Sequence, residues 1–389
     1  MSRAVLPGAT LGVMGGGQLG RMFVQAAQSM GYFTAVLDPD PTSPAGLVAH
    51  YHIQAEYLDE QGLAQLMQRC AAITTEFENE PAPALVTLGA HRPVAPSAAA
   101  VAVCQDRMAE KAQFRRCGVA CASHGLVDSA AAVEAVPDAL LPGILKTNRL
   151  GYDGKGQQRV ADRAALRAAW AALSPAGDVP CVLEQWLPLR SELSVVVARG
   201  AFGDMVNLPV QQNLHRDGIL AVTQVPAPDV PDALQQQALA AARQVAESLD
   251  YVGVLCVEFF VLQDGSLVAN EMAPRPHNSG HWSIDGSDVS QFELQVRTLT
   301  GLPLVAPRQH SAALMLNLLG DLWFDSNGRP RLPDWAALLA LPGLHLHLYG
   351  KLGARRGRKM GHVTVTATDA AGADAVARQA AALLGLPAW

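Results

Sequence analysis

The chain is poor in charge. Only 16% of its 389 residues are Asp, Glu, Lys or Arg, and acids outnumber bases to leave a formal net charge of −6. A nucleic-acid binder carries a basic footprint that raises its pI, so that class is excluded, whereas a locally basic site for a small anion is not. No apolar run approaches the ~20 residues of a membrane helix, and no membrane partner is expected. Residues 1–17, MSRAVLPGATLGVMGGG, lack a charged n-region, an apolar h-region and a cleavage site. No signal peptide is therefore expected, and the location reads as cytoplasmic. The six cysteines (Cys70, Cys104, Cys117, Cys121, Cys181 and Cys256) form no CxxC pair. Cys117 and Cys121 are spaced CxxxC, but reduced structural thiols are a simpler reading than a metal or redox pair. There is no internal repeat.

Half the residues are hydrophobic, and the length suits two or three domains of roughly 100–200 residues each. A strand at Ala9–Met14, the glycine turn Gly15–Gly20 and a helix at Arg21–Met30 open the chain. Strands at Tyr32–Leu37 and Ala71–Thr74 follow, ending at Asp38 and at Thr75-Glu76-Phe77-Glu78-Asn79. Such alternation predicts an α/β unit with a doubly wound parallel sheet, whose ligands gather at the carboxyl ends of the strands. After a linker at Val94–Ser97 come a helix at Ala98–Gly118, a strand at Leu140–Thr147, the glycine loop Gly151–Gly156 and a helix at Ala161–Leu173. Strands dominate from Val182 to Pro226, followed by a helix at Pro231–Leu249 and a hairpin at Val252–Glu271, an α+β arrangement. The tail offers strands at His310–Leu318 and Leu344–Tyr349, a basic loop and a last helix at Ala371–Leu384.

The hairpin carries the sharpest chemical inference. Asp264-Gly265 is a strong two-residue turn signal. With those residues as the turn, Gln263 faces Ser266 and Glu258 falls directly opposite Glu271, with Cβ atoms about 4.5–5.5 Å apart. Phe260, Leu262, Leu267 and Ala269 would share that face. Two ionised carboxylates there repel unless a cation or a proton intervenes. Magnesium suits the place, because it takes one or two carboxylates and leaves its other positions to phosphates. A shifted register with both glutamates solvated is the alternative.

The loop Leu150-Gly151-Tyr152-Asp153-Gly154-Lys155-Gly156-Gln157 lets backbone N–H groups approach an anion, with Lys155 in the loop and Lys146 on the preceding strand adding charge. A surface turn looks the same, but the acidic hairpin gives the loop a partner. The first glycine loop, Gly15–Gly20, satisfies the GxGxxG dinucleotide fingerprint, with Asp38 as its ribose acid. Pro39-Asp40-Pro41 crowds the adenosine side, and a mononucleotide or another anion fits the helix N-terminus equally well. Beyond the hairpin, Arg275, His277 and Asn278 can converge on an oxyanion, and His215 has a similar polar setting. Lys351, Arg355, Arg356, Arg358 and Lys359 form either a solvated run or a site for one dianionic phosphate. His345 and His347 read as a polar strand face before a metal site.

These segments together resemble the 5-(carboxyamino)imidazole ribonucleotide synthase family. The resemblance is carried by Gly16-Gly17-Gln18-Leu19-Gly20-Arg21-Met22, Glu76-Phe77-Glu78-Asn79, residues 151–157, Glu184-Gln185-Trp186 and Asn213-Leu214-His215. It continues through Asn270-Glu271-Met272-Ala273-Pro274-Arg275, residues 277–282 and Gly357-Arg358-Lys359-Met360-Gly361-His362, in the family's order over nearly the whole chain. It implies an ATP-grasp fold: a Rossmann-like pre-ATP-grasp domain at 1–97, a lid domain at 98–185, a large domain at 186–309 and a C-terminal domain at 310–389, commonly as a homodimer. It implies contacts to ATP from Arg107, Lys146, Gly151, Tyr152, Asp153, Gly154, Lys155, Gly156 and Gln157. The adenine would lie against Glu184, Gln185, Trp186 and Leu187, the ribose on Glu192, and His215 and Asn270 would complete the pocket. Glu258 and Glu271 would hold magnesium, in agreement with the hairpin. Gln18, Glu76, Tyr152, Asp153, Arg275, His277, Lys351 and Arg358 would bind the ribonucleotide. The implied reaction is ATP- and bicarbonate-dependent carboxylation of 5-aminoimidazole ribonucleotide through carboxyphosphate, a step of purine biosynthesis. Asp153, Arg275, His277 and Asn278 are its candidate catalytic residues, with Asp153 and His277 the candidates for the general base. Leu150 stands where another glycine is expected, and Arg356 where a proline is. The rival readings are a formate-using ribonucleotide transformylase of the same fold, an NAD(P)-dependent oxidoreductase, and a nucleotide-binding regulator without catalysis.

Overall fold

A computed structural model describes residues 4–151 and 154–389; Tyr152 and Asp153 lie outside the described residues. The N-terminal unit is a parallel sheet in the order Tyr51–Ile53, Phe33–Leu37, Thr10–Met14, Ala72–Thr75. Its central strand is flanked on both sides, with Val13 beside Val36 and Met14 beside Thr75. Both faces are covered, so its strands are runs of buried residues rather than alternating ones. The helix Gln18–Ser29 starts earlier than expected and buries Leu19, Met22, Phe23 and Ala27. Met22 and Phe23 share a core with Phe292, Val296 and Leu299 of the helix Gln291–Thr300 and with Tyr349.

Antiparallel strands form the lid sheet, in the order His124–Val127, Cys181–Gln185, Gly143–Thr147, Gln157–Val160. The expected helix at Ala98–Gly118 is two helices, Ala98–Cys104 and Arg107–Arg116. Asp106 breaks it in two: its side chain accepts from Ala109 N at 3.1 Å and caps the second helix.

The third sheet has nine strands. Eight run in the order Leu267–Ala273, Gly253–Leu262, Leu189–Arg199, Gln211–Arg216, Ile219–Val225, Ala312–Leu319, Lys359–Ala367, Leu344–Leu348. The ninth, Met205–Asn207, pairs with Leu189–Arg199. The strand Lys359–Ala367 is absent from the sequence-based expectation. Because Ile219–Val225 pairs with Ala312–Leu319, one sheet runs from the acidic hairpin to the strands flanking the basic loop. Leu193, Val195, Val257 and Phe259 pack beneath it against Ala242 and Val245 of the helix Asp232–Ser248. Burying one such large side chain contributes about 1.5–3 kcal/mol.

The hairpin corrects the expected register. Its loop has three residues, Gln263 to Gly265: Leu262 N donates to Ser266 O at 2.9 Å, and Gly265 takes φ 85°. Near the loop Phe260 therefore pairs with Val268 rather than with Ala269. A bulge then sets Asn270 and Glu271 together opposite Glu258, before Val257 pairs with Met272. Leu267 and Ala269 consequently lie in the core on the opposite face, not beside Glu258. The longer loop and the bulge offset one another by one residue each, so the two glutamates still meet across the strands.

Candidate functional site

The three units enclose a cleft of about 1080 Å³. Of the described residues expected at the site, all but Gly156 line it. Gly151, Gly154, Lys155 and Gln157 form one wall, and Gly154 (φ 76°) and Gly156 (φ 69°) need their missing side chains. A Cβ on Gly154 would lie 2.8 Å from Asp217 O, and one on Gly218 would lie 2.7 Å from Gly154 Cα. The loop thus rests main chain to main chain on the Asp217–Gly218 turn of the large sheet.

At the inner end, Glu184 takes Lys146 Nζ at 2.9 Å and Lys111 Nζ at 3.3 Å. Burial pushes the Glu184 carboxyl up, but Lys146, Lys111 and Arg107 outweigh it and hold its pKa at about 2. Trp186 is half-exposed, with the Arg159 guanidinium 4.5 Å from its ring centroid. In the middle, Glu192 Oε2 meets His215 Nδ1 at 2.5 Å, and Glu258 Oε1 meets His277 Nε2 at 2.8 Å. Burial would raise the Glu258 carboxyl, but His277 and His215 hold it below the ordinary carboxylate range. His277 Nδ1 lies 2.9 Å from Ser279 Oγ, so both ring nitrogens are engaged. Glu271 pairs instead with Arg107 at 3.2 Å, so each of the two expected metal carboxylates has a separate protein cation. Asn270 Oδ1 beside them is buried without a hydrogen-bond partner. Two carboxylates and an orphaned amide oxygen make a hard oxygen donor set, which fits magnesium.

At the outer end, Glu78 pairs with Arg275, whose guanidinium lies 5.9 Å from the Phe77 ring centroid. Lys351, Arg355, Arg356, Arg358 and Lys359 all line the cleft, Arg355 and Arg356 as exposed residues. Lys351 Nζ donates to Lys359 O at 2.7 Å and Arg358 Nη1 to Gly353 O at 2.6 Å. His345 and His347 lie elsewhere, as the polar-face reading expects: His347 Nε2 is 2.8 Å from Asp285 Oδ2, and His345 Nε2 is 3.1 Å from Thr366 Oγ1.

The oxidoreductase reading is corrected by the first glycine loop. Its anion position is filled from within: Glu76 accepts from Gly17 N at 3.0 Å and from Leu19 N and Gly20 N at 3.1 Å. Asp38, the supposed ribose acid, is buried and accepts from Gly16 N at 2.6 Å and Tyr57 OH at 2.8 Å. Neither the helix N-terminus nor the acid is left for a dinucleotide.

Sequence reasoning missed Lys111, Glu110, Arg159 and Glu80. Glu80 is buried, accepting from Thr75 Oγ1 and from Phe77 N. Burial, then Glu76 and Glu78, push its carboxyl well above the ordinary 4.5, and Arg275 on this side is engaged by Glu78. A raised folded-state pKa gives stability that is present below 4.5 and lost as pH rises toward the folded value. Glu80→Gln carries no such penalty. Its stability relative to the parent should therefore climb from pH 5 to pH 8, by up to about 1.4 kcal/mol per unit. Urea unfolding at both pH values measures this, and an unchanging difference would mean that Glu80 is ionised in the fold.

Residues 8–105 match the ribonucleotide synthetase preATP-grasp domain family, 112–292 the ATP-grasp domain, and 313–376 the phosphoribosylaminoimidazole carboxylase C-terminal domain. The chain is 45% identical over 365 residues to an N5-carboxyaminoimidazole ribonucleotide synthase of Brucella melitensis, covering 92% of this chain and 96% of that protein. A Staphylococcus aureus N5-carboxyaminoimidazole synthetase complexed with ADP superposes with a TM-score of 0.89 at 36% identity, covering 98% of each chain. An Aspergillus clavatus N5-carboxyaminoimidazole synthase in complex with ADP and 5-aminoimidazole ribonucleotide gives 0.87 at 30% identity, covering 97% of this chain and 98% of that one.

Proposed function

The chain belongs to the N5-carboxyaminoimidazole ribonucleotide synthase family, and from that premise we propose that it carboxylates the 5-amino group of 5-aminoimidazole ribonucleotide with ATP and bicarbonate, in purine biosynthesis. The observation that carries this is convergence. A glycine loop with Lys146, an acidic strand pair and a basic loop all line one cleft, which brings together what phosphates, a cation and a phosphorylated substrate each require. The Aspergillus clavatus relative holds ADP and the aminoimidazole ribonucleotide together.

In this reading Lys146 and the backbone of residues 151–157 neutralise charge on the phosphates as bicarbonate takes the γ-phosphoryl group. Magnesium, when bound, supplies further charge neutralisation; Glu258, Glu271 and Asn270 would hold it. Arg275, fixed by Glu78, and His277, fixed by Glu258 and Ser279, would set positive charge beside the carboxyphosphate. With both ring nitrogens of His277 occupied, Asp153 is the general-base candidate that remains. The loop resting on Asp217–Gly218 excludes water from an intermediate that hydrolyses readily. A homodimer, a cytoplasmic location and the four-part domain division belong to the same proposal.

ADP release with bicarbonate should depend on the aminoimidazole ribonucleotide. Release driven by formate and glycinamide ribonucleotide instead would place the chain with the transformylases. Arg358→Ala should weaken the ribonucleotide about 10- to 150-fold, the value of ~1.5–3 kcal/mol for a lost charged hydrogen bond, while sparing ATP. Steady-state titration of both substrates reads this, and ribonucleotide affinity held within about twofold would put the phosphate elsewhere.

A further inference from the structure

Two buried charged residues of the helix Arg107–Arg116 lie against the acidic strand. Lys111 is 0% and Glu110 2% exposed. We propose that they are positioning residues, a clamp that holds the bulge by which Asn270 and Glu271 both face the cleft. The proposal rests on reading those residues and Glu258 as the cation's ligands.

Leu267–Ala273 is the edge strand of its sheet, so its outward backbone groups need partners from elsewhere. Ala269 N finds Ala120 O at 2.7 Å. One residue on, the bulge breaks the alternation and turns Asn270 O and Met272 N outward. Lys111 Nζ donates to Asn270 O at 2.5 Å, and Glu110 Oε1 accepts from Met272 N at 2.6 Å. Arg107, one turn earlier on the same helical face, takes Glu271 Oε2 at 3.2 Å. Three side chains at i, i+3 and i+4 thus grip three consecutive residues of the strand. Buried charges are a costly way to fill a core, and apolar side chains would pack this helix equally well. What they could not do is supply a donor and an acceptor to the groups displaced by the bulge. Without Lys111 the Asn270 carbonyl is buried and unpaired, and straightening the strand by one residue becomes the cheaper arrangement. That slip turns one of Asn270 and Glu271 to the opposite face. Lys111 also meets Glu184 at 3.3 Å, so one ammonium joins the base end of the cleft to its metal end.

The test measures Mn²⁺ binding to the full chain with saturating ADP, from the electron paramagnetic resonance signal of free Mn²⁺. Lys111→Met should raise the Mn²⁺ dissociation constant by about tenfold or more. A purely structural contact would lower the unfolding midpoint but keep Mn²⁺ affinity within about twofold, and that result overturns the clamp. Glu271→Gln is the control. If it loses Mn²⁺ while Lys111→Met does not, the clamp alone fails; if it keeps wild-type affinity, the ligand reading fails and takes the clamp with it. Should Lys111→Met not fold, Lys111→Met/Glu184→Gln, which removes the Glu184 carboxylate together with the ammonium it meets, is compared with Glu184→Gln in the same way.

Discussion

Glu271→Gln should cut turnover by about a thousandfold, close to 4 kcal/mol of transition-state stabilisation at ~1.4 kcal/mol per decade, and leave the fold intact. The amide keeps the shape of the side chain but removes one of the two negative charges proposed to hold magnesium, and a metal at transferring phosphates is worth several kcal/mol. Folding is spared because Arg107 retains other partners: its Nε donates to Thr147 O at 3.2 Å and its Nη2 reaches Gly151 O at 3.5 Å. ADP release at saturating ribonucleotide, followed across a magnesium titration, gives the answer. Wild-type turnover at limiting magnesium would remove Glu271 from the metal site.

Glu76→Ala should have the second largest effect, on stability and substrate binding together. The Glu76 carboxylate caps the helix Gln18–Ser29 through three backbone donors. Burial raises its pKa, and the N–H groups of Gly20 and Gly17 partly restrain the rise. Each donor left buried and unpaired costs about 1–3 kcal/mol, so about 3 kcal/mol or more is at stake. Truncation also exposes the positive end of a helix, which accepts anions. Sulfate should therefore restore thermal stability to Glu76→Ala more than it stabilises the parent, while the ribonucleotide KM rises at least about tenfold. Equal responses to sulfate would show that the loop N–H groups are satisfied without Glu76.

The strand–glycine–helix opening, the acidic hairpin and the basic loop were legible because each is local and carries its own punctuation. The meeting of Glu258 and Glu271 was legible only because two irregularities cancel. Asp264-Gly265 signals a turn but not whether Gln263 joins it, and a bulge leaves no mark in the pattern of apolar residues. The strand Lys359–Ala367 carried a signal in Val363-Thr364-Val365-Thr366, masked by the basic residues leading into it. Glu80, Glu110 and Lys111 were opaque for a different reason. Charged residues on a helix or a turn read as solvated. The groups that justify burying Glu110 and Lys111 are backbone atoms far along the chain, while those of Glu80, the Thr75 hydroxyl and the Phe77 N–H, are close by but turn toward it only in the folded loop. Tyr152 and Asp153, expected in the lid and the substrate site, lie outside the described residues.

Leu150 sits 72% exposed at the lip of the cleft with φ 62°, a left-handed conformation that costs a side chain like leucine roughly 1–2 kcal/mol. Most positions near a reaction centre are local optima, where random change is punished. Here the resident residue is among the poorest choices for its own backbone, and it touches solvent rather than a core. Mutational drift at this codon has little to lose: glycine, asparagine and aspartate all relieve the backbone. In a laboratory selection for faster or more robust variants, position 150 is where gains should surface first.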